Sequence, residues 1–170
     1  MNFLENCNWD APTVLARLKT DTHIMNGKSV VDFPFLRGNK IGPLWLRMLR
    51  DNIGITQLKK LDAVPIPVDI HVARASLCLG VVRGSFNGNL DEIFPLIRRA
   101  WFEGVNGAFV NNRPMIALDV DEPLWHLLKY GCTMRNTQNG LCPHRYSCEA
   151  KNQCISGIVD VSSNHVHLAT

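Results

Sequence analysis

The segment that most restricts what this chain can fold into is residues 132–154, CTMRNTQNGLCPHRYSCEAKNQC, which holds four of the six cysteines. Cys132, Cys142, Cys148 and Cys154 are separated by nine, five and five residues. Between them lie Asn, Gln, Gly, Pro and charged side chains, with Met134, Leu141 and Tyr146 as the sizeable apolar residues. Such a stretch buries too little apolar surface to offset the entropy lost on ordering it, so it needs a brace. Structural zinc takes thiolates in tight C-x2–4-C pairs, and none occurs here. The wide spacing favours a larger object, a [4Fe–4S] cluster held by all four thiolates. Zinc is one alternative. Two disulfides are another, and they require an oxidising compartment.

A chain of 170 residues suits one compact domain or two small lobes sharing a core. The expected division is a helical region over 1–120 and a cluster-binding region over 121–170 packed on the same core. Hydrophobic content of 46% and charged content of 19% exclude a disordered chain. A formal charge of +3 permits contact with nucleic acid without arguing for it. No apolar run reaches the length of a membrane span. The opening residues, MNFLENCNWDAP, are neither basic nor continuously apolar, so no secretory signal is read there. A cytoplasmic, reducing location is expected, which weighs against disulfides. Cys78, within ASLCLGVV, reads as a small buried hydrophobe.

Taken in order, residues 10–19 predict a helix with Asp10 as its cap and Pro12 in its first turn. Residues 20–29 read as a loop with a solvated His23. Residues 30–49 predict a helix, a tight turn at Gly38 and a second helix with Leu44, Trp45, Met48 and Leu49 at helical spacing. Gly38 is expected at positive φ, and the turn's backbone amides suit an anion such as a phosphate. Thr56 is expected to cap a short helix. Pro65 and Pro67 predict an extended entry to a buried helix beginning near Asp69. Asn89 is expected to cap an amphipathic helix whose start is shifted or kinked at Pro95. Residues 105–120 read as two short strands about Asn111–Pro114 or as surface coil. Asp121 is expected to cap the helix that delivers Cys132; in residues 155–170, His165 and His167 alternate as on one side of a strand, and the favoured reading is a frayed terminus.

This order of features resembles the helix-hairpin-helix DNA glycosylases, among which the endonuclease III and MutY-like members carry an iron–sulfur cluster. Gly38-Asn39-Lys40-Ile41-Gly42 is similar to the hairpin line that holds the catalytic lysine, and places Lys40 on it. Val68-Asp69-Ile70-His71-Val72-Ala73-Arg74 matches the V-D-x-H-V-x-R line of the catalytic aspartate, and Pro65-Ile66-Pro67-Val68-Asp69 is similar to the archaeal 8-oxoguanine glycosylase branch. The likeness covers roughly residues 30–80 and 121–154. Three features depart from the family. The cysteine spacing is wider than C-x6-C-x2-C-x5-C, the hairpin lacks the L-P-G-V-G form, and residues 1–29 stand where several barrel helices would be. A partner subunit or second copy completing the pocket, or an open reduced site, is the expectation that follows.

The resemblance implies a mainly α, helix-hairpin-helix fold and a nucleoid-associated enzyme that removes a damaged base from DNA. In that reading Lys40 attacks the sugar C1′ and forms a Schiff base that leads to strand cleavage, while Asp69 stabilises positive charge on the sugar or helps deprotonate Lys40. Arg37, Gly38, Asn39, Gly42, Arg135, Arg145 and Lys151 would meet DNA phosphates. The plainer readings are a solvated turn lysine at 40, a helix cap at Asp69, a packing histidine at 71 and a wet helix face at Arg98 and Arg99. A non-catalytic iron–sulfur DNA-binding module or subunit of a repair complex, and an electron-transfer protein, are the competing functions.

Overall fold

Asp10 does cap the first long helix: its Oδ1 accepts from the Thr13 amide at 3.0 Å and the Thr13 hydroxyl at 2.9 Å. The computed structural model describes residues 3–132, 146–154, 159–162 and 165–168. Helix α1 (Phe3–Asn6) and α2 (Ala11–Thr20) pack with α3 (Ile41–Asp51) around Leu4, Val14, Leu18, Leu46 and Leu49. Leu58, Val64 and Leu118 complete this first core.

Residues 20–29 correct the expected loop. Strands β1 (Thr22–Met25) and β2 (Lys28–Val31) pair antiparallel about Asn26-Gly27. Both turn residues have positive φ, 53° and 75°, as a two-residue hairpin whose twist matches its strands requires. The helix expected before Gly38 is absent, because residues 32–40 run as turns and Pro34 holds Phe33 out of the helical region. Gly38 is not at positive φ either. The helix expected after Thr56 also fails to form. Its backbone is engaged elsewhere: Lys59 N donates to Trp9 O at 2.8 Å, and Ala11 N donates to Lys59 O at 3.0 Å. Only Leu61–Ala63 makes a single 3-10 turn.

Past the extended segment at Pro65–Pro67, α4 (Ile70–Cys78) is buried on most sides, Cys78 included. A 3-10 turn at Leu90–Ile93 leads into α5 (Phe94–Gly104), so Pro95 falls in the first helical turn, where it costs no hydrogen bond. Asn89 makes no side-chain cap there; its Nδ2 donates to Glu92 Oε1 at 3.0 Å. Another 3-10 turn, Ala117–Val120, enters α6 (Asp121–His126), which runs into a π-helical turn at Leu127–Gly131. These helices enclose a second core that includes Ile66, Val72, Leu77, Ile93, Ile97 and Leu124. Trp101 Nε1 donates to the buried Ser76 Oγ at 2.8 Å, and that hydroxyl donates to Val72 O at 2.7 Å. Ser76→Ala leaves the indole N–H without its acceptor, and urea denaturation should read a loss of roughly 1–3 kcal/mol.

The fold is therefore mixed: helices predominate, and short strands pair beside them. Strands β4 (Phe109–Val110) and β5 (Arg113–Pro114) pair about Asn111-Asn112, both at positive φ. The described parts of the tail are strand: β6 (Val159–Ser162) and β7 (His165–Leu168) join β3 (Phe86–Asn89) in the order β3-β7-β6. Val166 is fully buried in the second core, which anchors a segment whose sequence reads as frayed. Among the described residues no helix is long and apolar enough to cross a membrane.

Candidate functional site

The two cores meet where Val64 belongs to one and Ile66 and Val68 to the other, and Asp69 follows directly. Asp69 caps α4: its Oδ1 accepts from the amides of His71 and Val72, both at 2.9 Å. Oδ2 takes no part in those two bonds. Lys40, at the N-cap position of α3, brings Nζ to 3.3 Å from it. Residues 29 positions apart are thus joined because α3 and α4 present their N-terminal ends to one cleft. Lys40 is 43% exposed at its side chain and Asp69 14%, so the amine is open to solvent while the carboxylate is largely enclosed.

The cleft holds about 400 Å³ and is lined by Leu44, Met48, Pro67 and Trp125 on its apolar side. Its polar side carries Arg47, Asp121, Glu122 and His126, none of them singled out from the sequence for this place. Asp121 departs from its expected capping role. Val120 takes the cap position, and Asp121 is only 6% exposed, with Oδ2 at 2.9 Å from Arg47 Nε. Arg47 also reaches Glu122 Oε2 at 2.9 Å with Nη1. Burial pushes the Asp121 carboxyl up to about 6; Asp69 and Glu122 add to the rise, and Arg47 and Lys40 oppose it. The signal for Asp121 was an acid four residues before a tryptophan that shares the cleft. His71 packs edge-on against Trp125 with ring centroids 5.8 Å apart, as a packing histidine should.

The expected DNA-contacting residues separate. Arg37, Gly38 and Asn39 are exposed beside Lys40, and Asn39 Oδ1 accepts from Lys19 Nζ at 2.8 Å. Gly42 is a correction: it is buried where α2 meets α3, and a Cβ there would lie 2.9 Å from both Leu15 Cδ2 and Leu36 O. Its amide donates to Gly38 O at 3.2 Å, so it offers nothing to a phosphate. Lys151 is exposed on the 3-10 turn Glu149–Asn152, while Arg135 and Arg145 lie outside the described residues. Arg98 is not on a wet face. It is half-buried against Phe94, and burial lowers its pKa, whereas the exposed Arg99 pairs with Glu103 at 2.8 Å.

Cys132, Cys148 and Cys154 are each half-buried, Cys132 against the second core, and Cys142 lies outside the described residues. Among the described residues no three His, Cys, Asp or Glu side chains converge as a metal ion needs. The described thiols therefore do not by themselves form a fitted cluster or zinc site. Comparison of the chain with protein families, with curated proteins and with solved structures finds no match.

Proposed function

We propose that the chain is a DNA base-excision glycosylase with lyase activity. The observation that carries this reading is the 3.3 Å approach of Lys40 Nζ to Asp69 Oδ2 at a cleft of about 400 Å³. An amine beside an enclosed carboxylate suits attack on a sugar carbon that gains positive charge as its base departs. A base inside a duplex is out of reach, so the nucleotide must be extruded, at a cost of a few kcal/mol. The exposed Lys19, Arg37 and Asn39 flank Lys40, and cations there would hold the phosphates on either side of the extruded sugar.

Lys40 nitrogen then forms a bond to C1′ while the glycosidic bond breaks and its electron pair leaves with the base. Asp69, fixed by its two capping bonds, stabilises the cationic sugar. The C1′–O4′ bond then opens, its electron pair staying on O4′, which takes up a proton, and leaves a Schiff base at C1′; loss of a C2′ proton to water and departure of the 3′-phosphate cleave the strand. A cluster or zinc held by Cys132, Cys142, Cys148 and Cys154 would brace the stretch they span; iron, sulfide and zinc analysis of anaerobically purified protein tests whether either is there and which.

The test is incubation with duplexes carrying 8-oxoguanine, uracil, thymine glycol or an abasic site, with borohydride present. The expected result is strand cleavage and a covalent protein–DNA adduct on at least one of them. Salt-sensitive binding with no cleavage and no adduct on any duplex would instead favour the non-catalytic DNA-binding module.

A further inference from the structure

The Lys40–Asp69 pair leaves Asp121 without a role, although it lines the same cleft. It is buried, it does not cap its helix, and its one described ion-pair partner is Arg47. Asp69 differs from it in one decisive respect. Its Oδ1 is occupied by two backbone amides, and such bonds weaken when a carboxylate becomes neutral. Asp69 is thereby committed to holding the end of α4. Asp121 makes no comparable backbone commitment among the described contacts.

We infer that Asp121 is the proton acceptor of this site, taking from its buried position in the cleft the proton that Lys40 must shed before attack. The inference rests on the lyase reading above. In the step, an N–H bond of the Lys40 ammonium breaks and its electron pair stays on nitrogen. The proton passes across the cleft that both side chains line to an Asp121 oxygen and forms a neutral carboxylic acid. The neutral acid suits the buried position of Asp121, because burial disfavours its charged form. A carboxyl pushed up to about 6 also holds that proton better at neutral pH than an ordinary aspartate does. The charged and titratable groups around Asp121 are Lys40 and Arg47 of the α3 side, with Asp51 sharing Arg47 at 3.8 Å, Asp69 and His71 of the α4 side, and Glu122 and His126 of its own helix.

Single-turnover trapping by cyanoborohydride on an abasic-site duplex, followed across pH, tests this with the full chain. The wild-type rate should fall on the acid side with a midpoint near 6, because a protonated Asp121 can accept nothing. Asp121→Asn should lower the neutral-pH rate by about 10²-fold and remove that acid limb, and Asp121→Glu should restore both. An Asn variant that traps at the wild-type rate with the limb intact overturns the inference alone. Absence of any wild-type adduct overturns the lyase reading and the proton step with it. A second measurement does not need the Asn variant to fold: the carboxyl carbon resonance of Asp121, titrated in wild type and in Lys40→Ala. The midpoint should lie near 6 and rise in Lys40→Ala, since the lysine charge holds it down. A midpoint in the ordinary aspartate range, or one unmoved by Lys40→Ala, overturns the inference.

Discussion

Lys40→Ala is expected to abolish both the trapped adduct and strand cleavage, and Asp69→Asn to slow single-turnover cleavage by roughly 10²–10³-fold while DNA binding persists. Lys40 is the lysine among the described residues lining the cleft, so its removal leaves no amine there to form a Schiff base. The Asp69 change separates two roles that coincide in one side chain. Asparagine caps a helix about as well as aspartate, so the bonds to the His71 and Val72 amides are retained and α4 stays in place. What disappears is the negative charge facing Lys40. If Asp69 were a cap and nothing more, the Asn variant would cleave at the wild-type rate. Quenched-flow cleavage assays at saturating enzyme read the difference.

Arg47→Ala is expected to cost about 3–5 kcal/mol of stability at alkaline pH, because it leaves the Asp121 carboxylate buried without its counter-charge. The pH dependence follows from the direction of the shift. Asp121 binds its proton more tightly folded than unfolded, about 6 against 3.8. Between those values the folded state holds more protons, so this group's contribution to stability falls as pH rises, and the loss is complete above the folded pKa. Removing Arg47 takes away a charge that lowers the folded pKa, so the decline extends to higher pH. Asp10 and Asp119 act in the opposite sense. Both are lowered, Asp10 chiefly by its bond to Lys60, and Asp119, against burial, by its bonds to Arg113 and the Ile116 amide. Their contributions are present above the ordinary carboxylate range and are common to both proteins. The difference in urea stability between wild type and Arg47→Ala should therefore be large at about pH 8 and small at about pH 4. An equal loss at both values contradicts the account of this pair.

Local chemistry made part of this legible. The caps at Asp10 and Asp69, the extended Pro65–Pro67 entry and the displaced start at Pro95 follow from rules that act within a few residues, and all are present. The mistaken elements are those decided at long range. The stretch after Thr56 has a helical pattern, yet its backbone pairs with the chain near Trp9. Asp121 has a cap's position in sequence, yet a partner 74 residues earlier draws it inward. Gly42 looked like part of an anion-binding turn, but the space it leaves is filled by Leu15 of α2. The hairpin at Asn26-Gly27 does have a local signal, since an Asn-Gly pair between β-forming residues favours a two-residue turn. Within the cleft, the motif lines lead to Lys40 and Asp69 because each sits at a helix end. Arg47, Asp121 and Trp125 converge on the same place only through packing of α3, α4 and α6.

The measurement closest to the centre of this account is tryptic mapping of the borohydride-reduced adduct formed on an abasic-site duplex. The account predicts a DNA-bearing peptide over residues 38–47, uncleaved at Lys40 because the modified amine is no longer a trypsin site. An adduct carried on another lysine, such as Lys59 or Lys60, or no adduct at all, would contradict it.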